Sequence, residues 1–485
     1  MEDEQQDPEL RYCFNVDVSG DSFYRGKRDC FPFSRSDAIC TEGEDDSREQ
    51  MNINTAYIDG SALYGSREDI ASKLRTGSYG LMKTHGDGRT TLPTRRQAGL
   101  RGDQESLVGG DPRATVQPGL TSLYSLFLNE HNRIAKRIKL SNSSLTDEQI
   151  YQRTRILVIA ELQNIVYNEF LPTLLGPDWM TSLTLPADPT EDTSYNALTN
   201  PGIYNEFATV AFRFGHALIP NSLKVSNFPK KRTVDTHCPL RDNFFNTEDF
   251  ILGSDESDPG KAWQNVLVGS GQTDRQPANS LANFLFCKDC GLDSGFGQDL
   301  FSRNIQRGRD HGLPGYTKFR EICQLSVPTD WSDKPEEISQ QSWNKMKLVY
   351  QKVDDIDPYV GGVAENPVKG RPGIVGPTFA CIISKQFENI MKGDRLFFTH
   401  KHQHEGALGG LPAGLRTLIR KRTLHDILCD NIPIERLPVN IFDSLSAQVK
   451  CEENNKLDFV LASKCLDCAE DKSKDCNSDL CPGQS

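Results

Sequence analysis

The sequence predicts a mainly α-helical protein: one large helical domain with long ordered loops and few short strands. Three observations carry that expectation. Apolar residues recur at helical spacing in five separate segments. Strand-like alternation is short and scattered, and the stretches between helices are rich in Gly, Pro and Asp.

The elements follow in order. Over 121–140, Leu123, Leu126, Phe127, Ile134 and Ile138 fall near one helix face with charges opposite. Thr146-Asp-Glu-Gln149 is a capping box that opens a second helix over 147–171, which Pro172 closes. A third helix covers 207–219 and stops at Pro220; a fourth covers 379–391 and a fifth 415–427. Residues 223–225 form a weak strand. Residues 1–12 read as a flexible acidic start, 13–462 as the domain, and 463–485 as a Cys-rich polar tail.

Composition removes several function classes. Of 485 residues, 55 are Lys or Arg and 67 are Asp or Glu, a net charge of −12. That balance excludes the basic footprint of a nucleic-acid binder. The longest aliphatic run is 156–160, far short of the roughly 20 residues a membrane helix needs. Fourteen cysteines, scattered and with few His neighbours, fit disulfides in an oxidising, extracellular compartment better than zinc ligation. The pairs Cys287-Lys-Asp-Cys290 and Cys465-Leu-Asp-Cys468 are too far apart in sequence to suggest one zinc site. Asn142-Ser-Ser144 permits N-glycosylation. Against secretion, the start MEDEQQDPELRYC has neither a basic nor an apolar leader region.

Chemistry concentrates in four segments. His216 lies in FATVAFRFGHALIP, apolar nearly all round, with Arg213 three residues earlier on the same face. A core histidine is the plain alternative, but a guanidinium buried beside an imidazole calls for an anion. RNIQRGRDHGLPGY repeats the spacing with Asn304 and Arg307. An Asn oxygen can accept the Nδ1–H of a ligating histidine, and two arginines can hold two carboxylates. One imidazole, one supporting amide and two guanidiniums suit a haem iron with two propionates. A salt-bridge network through Arg307 and Asp310 is the alternative. In REQMNINTAYIDGSALYGS, Thr55, Tyr57, Asp59 and Ser61 offer hard oxygen ligands for Ca²⁺ or, equally, a self-satisfied turn. GGDPRATVQPGL carries Arg113 in a loop before a helix. Arg101-Gly102-Asp103 is an integrin-type tripeptide, and His400-Lys-His402-Gln-His404 reads as a solvated loop.

Together these segments resemble the animal haem peroxidases, in order and from about Cys13 to Cys451. TAYIDGSALYGS is similar to the family's calcium loop, GGDPRATVQPGLTSLYSLFLNEHNRIA to its catalytic-arginine loop, and AFRFGHALIP to its proximal-histidine helix. NIQRGRDHGLPGY, VYQKVDDIDPYVGGVAE and GPTFACIISKQFENIMKGDRLFF resemble later family blocks. The resemblance implies a helical domain around haem b, with His216 as axial ligand, Asn304 as its hydrogen-bond partner, and Arg213 and Arg307 on the propionates. Arg113 takes the role of distal arginine, and Thr55, the Tyr57 carbonyl, Asp59 and Ser61 that of calcium ligands. It implies the disulfides Cys13–Cys30, Cys323–Cys381 and Cys429–Cys451, and a reaction of hydrogen peroxide with a halide or phenolic donor.

Two departures qualify the likeness. The family's distal helix, bearing Gln, His and an adjacent Asp, precedes the region matching Cys13, and no histidine occurs before His85. The expectation is an N-terminally incomplete version of a longer secreted peroxidase. It would lack a general acid–base worth about 10²–10⁴-fold in rate and one calcium ligand, leaving that site weak. A non-catalytic adhesion or matrix protein is the rival expectation. The second departure is local: Val116 stands where several relatives carry a Glu that esterifies the haem.

Overall fold

A computed structural model describes residues 14–39, 48–86, 90–188, 190–191, 193–225, 236–247, 264, 277–287, 295–369, 372–400, 411–443 and 445–470. Helices dominate these residues, and the strands form three two-stranded antiparallel ribbons: β1 (Val16–Asp17) with β2 (Cys30–Phe31), β3 (Ser222–Val225) with β4 (Thr236–Pro239), and β5 (Arg436–Pro438) with β6 (Gln448–Lys450). The helices the site depends on are α1 (Pro118–Ser141), α2 (Asp147–Ile165), α3 (Leu171–Leu175), α4 (Asn205–Thr209), α5 (Leu300–Asp310), α6 (Pro358–Ala364), α7 (Pro377–Gly393), α8 (Ala413–Arg420), α9 (Leu424–Asn431) and α10 (Phe459–Glu470).

The long pair α1 and α2 forms the centre. Leu126, Ile134, Ala135, Leu157 and Val158 are fully buried between and around them. Leu123, expected on the apolar face, is exposed, because the buried surface of α1 is centred instead on Ser122, Leu126 and His131. The Thr146 capping box forms as expected, with Gln149 reciprocating. Pro172 does not end the helix there. A π-turn over Val166–Phe170 widens the hydrogen-bond ladder first, and the chain continues through α3 to Leu175.

Two expected helices are broken. The segment 207–219 is α4, a kink at Val210, and a 3₁₀ stretch over Ala211–Leu218. The segment 415–427 splits into α8 and α9, with a new capping box between Thr423 and Asp426. The turn between them drives Arg422 into the core, where it meets Glu161 at 2.9 Å, Glu130 at 3.0 Å and Asp430 at 2.8 Å. A straight helix could not deliver that guanidinium.

Cys323–Cys381 and Cys429–Cys451 are bridged as expected. Cys287 and Cys465 are disulfide-bonded as well. Cys30 is a free, exposed thiol, so the expected bridge to Cys13 is not made. The ribbon register explains it: Cys30 lies opposite Asp17, while Phe14 bonds Phe33. Cys13 itself lies outside the described residues. Ser463, where a polar tail was expected to begin, sits inside α10, and Cys465 and Leu466 are buried against the core. No described helix is long and apolar enough to cross a membrane.

Candidate functional site around His216

The 3₁₀ stretch aligns the site. Its side chains eclipse every third residue, so Arg213 and His216 stand one above the other. Helix α5 packs alongside and brings fully buried Asn304 against both. The Asn304 amide nitrogen is 2.9 Å from His216 Nδ1, and its oxygen accepts from Arg213 Nη1 at 3.2 Å. Arg213 also donates through Nε to the Ala208 carbonyl at 3.0 Å. Tyr359 on α6 closes the cluster, its hydroxyl 3.4 Å from the Arg213 carbonyl.

Electrostatics set this cluster apart. Burial, then Arg213, lowers the His216 imidazole to about 4, which keeps it neutral near pH 7 as a ligand must be. Burial lowers Arg213 to about 10, helped by Arg307, Arg113 and Arg303 and opposed by Tyr359; Arg213 makes no ion pair among the described residues. Arg307 and Arg113 have carboxylates of their own, Asp310 and Asp111, so the uncompensated charge is that of Arg213.

The other arginines are engaged. Arg307 Nη1 donates to Asp310 at 2.8 Å and to Ser34 O at 3.0 Å, and its guanidinium lies 4.0 Å over the Phe33 ring. The expected salt-bridge alternative for Arg307 is therefore present, on a helix rather than in a loop. Arg113 is held bidentately by Asp111, at 2.9 and 2.7 Å. Asp111 also caps the short 3₁₀ turn by accepting the Arg113 N–H. Val116 packs beside an apolar cluster of Leu240, Phe244, Leu281 and Leu285.

In the Thr55–Ser61 segment the side chains satisfy their own turn. Thr55 Oγ1 accepts from the Tyr57 N–H at 3.0 Å, and Asp59 accepts from the Ser61 N–H at 2.9 Å. Gly60 supplies the left-handed φ of 67° that starts the next helical turn. A cavity of about 650 Å³ adjoins this loop, lined among others by Tyr57, Asp59, Ile159, Asp394 and Phe398. It is not lined by His216. His400 is buried, bonded to the Met391 carbonyl and Thr193, rather than solvated; His402 and His404 lie outside the described residues.

The comparisons with known proteins agree on one family. The model of the family "Animal haem peroxidase" matches residues 2–442. The chain belongs to that family. Peroxidasin homolog pxn-2 of Caenorhabditis elegans is 33% identical over 488 residues, covering 94% of this chain and 35% of that protein. Thyroid peroxidase of Rattus norvegicus is 32% identical over 465 residues, covering 90% and 48%. The chain thus spans a third to a half of these curated relatives. Among solved structures, peroxidase A from Dictyostelium discoideum superposes with a TM-score of 0.70 at 28% identity, covering 92% of this chain and 82% of that one. A rice (Oryza sativa) fatty acid alpha-dioxygenase shares the fold, with a TM-score of 0.67 at 20% identity.

Sequence reasoning missed Asp111, Tyr359 and Phe33 as site residues. Asp111 was legible, since an Asp two residues before Arg113 is the pattern of an Asx cap. Tyr359 and Phe33 were not, because only tertiary packing brings them to the arginines.

Proposed function

We propose that the chain is a haem-dependent peroxidase that uses hydrogen peroxide to oxidise a halide or phenolic donor. One observation carries the reading: a neutral, half-buried imidazole beside a half-buried guanidinium that makes no ion pair among the described residues. Such a pair is costly unless an anionic ligand completes it.

The residues suit haem b. His216 would present Nε2 to the iron, which requires the proton on Nδ1. The Asn304 amide nitrogen faces Nδ1, and the amide can turn to present its oxygen instead. Rotating that amide by half a turn gives Nδ1–H an oxygen acceptor and ends the Arg213–Asn304 bond. Arg213 is then released toward a propionate, so ligand binding and imidazole tautomer are coupled through one side chain. Arg307, tied to Asp310, would contribute a weaker propionate contact. Val116 forms no ester.

Bound haem supplies the redox centre that accepts two oxidising equivalents from hydrogen peroxide. Arg113 offers N–H donors to negative charge growing on the departing peroxide oxygen, and Asp111 fixes the plane of that guanidinium. With a phenolic donor, hydrogen peroxide becomes two waters as two phenols each lose an electron and a proton. With a halide, one halide ion, one hydrogen peroxide and one proton give one hypohalous acid and one water. Titration with haem should give a Soret band, and guaiacol oxidation should fall in Arg113→Ala. A folded chain that develops no Soret band would overturn the reading.

Extracellular location follows from the disulfides as part of the same proposal. Calcium binding at Thr55, Tyr57, Asp59 and Ser61 is proposed to be weak, because the turn already uses the Thr55 and Asp59 oxygens; nanomolar affinity by calorimetry would contradict this. A second reading, adhesion or matrix contact, is favoured by the exposed Arg101-Gly102-Asp103 loop. Its test is integrin-dependent cell attachment lost in Asp103→Glu.

A further inference from the structure

We propose that His425, Cys429 and Cys451 form a redox-gated site for a thiophilic divalent cation, open to metal when the Cys429–Cys451 bond is reduced. The donors come together from two elements. His425 and Cys429 are four residues apart on α9 and share one helix face. Cys451 arrives from the turn that follows β6. One ligand atom from each lies within 4.8 Å of the other two.

The histidine is already set for the task. Its Nδ1 is 2.8 Å from the Pro438 carbonyl, which can only accept, so Nδ1 carries the proton. The lone pair therefore sits on Nε2, which is 3.4 Å from Cys429 Sγ. A backbone acceptor that fixes the tautomer of a ligating imidazole is the usual support for a metal-bound histidine. His425 is 5% exposed, whereas both cysteines are only half-buried, so a small ion has an approach.

In the disulfide form both sulfurs are bonded to each other and bind no metal. Two equivalents of a small thiol, or one dithiol, reduce the bond: the disulfide gains two electrons and two protons, and the reductant becomes a disulfide. Metal entry displaces the two thiol protons and gives two thiolates, one neutral imidazole and a water. That N/S set suits tetrahedral Zn²⁺ with an open fourth position. Peroxide reverses the switch, since two thiols and one H₂O₂ give a disulfide and two waters, and the ion is released. Nothing in this site depends on His216.

The probe is Co²⁺, titrated anaerobically into the full chain after phosphine reduction and desalting. We expect thiolate-to-cobalt charge-transfer and tetrahedral d–d bands that saturate at one equivalent, and none in the unreduced chain. The bands should vanish in Cys429→Ser and Cys451→Ser, and survive in the Cys323→Ser/Cys381→Ser control. His425→Ala and His425→Gln should each weaken Co²⁺ binding by about an order of magnitude or more. Far-UV circular dichroism tracks folding throughout. Absent bands in the reduced chain, bands undiminished by the His425 or Cys451 variants, or loss of the fold on reduction would each overturn the proposal.

Discussion

Two arginines, Arg422 and Arg213, show opposite ways of carrying a charge into the protein. Arg422 is 1% exposed and stands among three carboxylates; although burial works against its charge, Glu161, Glu130 and Asp430 hold it charged well beyond the ordinary arginine range. Arg213 is half-buried, the nearby charges are those of Arg307, Arg113 and Arg303, and its proton affinity falls. The first is a closed structural unit, complete in itself. The second has no carboxylate of its own among the described residues, and the proposed ligand would supply one. The difference motivates the proposed ligand site at Arg213 without reference to any relative.

Four experiments can break or sharpen that contrast. The largest effect is expected for His216→Ala, which should abolish haem retention, read from the Soret band after gel filtration. Retained haem with unchanged spectra would remove the axial assignment. Arg422→Ala should cost about 3–5 kcal/mol of stability, because Glu130 and Glu161 are left buried without their partner. Denaturant unfolding measures it, and a change under 1 kcal/mol would mean water reaches the cluster.

Arg213→Gln should do the reverse. Haem affinity should fall by about 1.5–3 kcal/mol, the worth of a charge-assisted bond. The unfolding midpoint of the haem-free chain should barely move, since losing an uncompensated charge offsets the bonds to Ala208 and Asn304. Equal losses of stability and affinity would erase the distinction between the two arginines.

The smallest effect concerns pH. Burial, then Glu130, pushes the Glu161 carboxyl far above the usual range, and its Oε2 has no partner. Glu130, bonded by Arg133, Arg422 and Asn431, stays ionised instead. Although Arg422 pulls the other way, Glu161 therefore binds its proton more tightly in the folded state than in the unfolded chain. Its stabilising effect is full below the ordinary carboxylate range and is lost as pH rises toward the folded value. Glu161→Gln should flatten that decline, and an unchanged pH–stability curve would assign the proton elsewhere.

Much of this was legible in the sequence, and the failures are instructive. The capping box at Thr146 and the helices α1 and α7 were readable because each is local, set by side-chain spacing over a few residues; α5, which carries Asn304 and Arg307, was not among the expected helices. The breaks at Val210 and between α8 and α9 were not. At both places a continuous helix satisfies local preference, and the chain gives it up to place His216 and Arg422. Pro172 misled for the same reason: a π-turn accommodates it within a packed helix.

By itself the sequence determined the residue types and their order: which stretches are helical, which histidine has an arginine three residues away, which loops carry oxygen donors. Only the tertiary structure decided charge. It gave Arg422 its carboxylates from three separate elements, left Arg213 among cations, and turned Asp111 and Asp310 onto Arg113 and Arg307. The physical reason is range. Helix propensity acts over one turn, whereas the cost of a buried charge depends on every element packed around it.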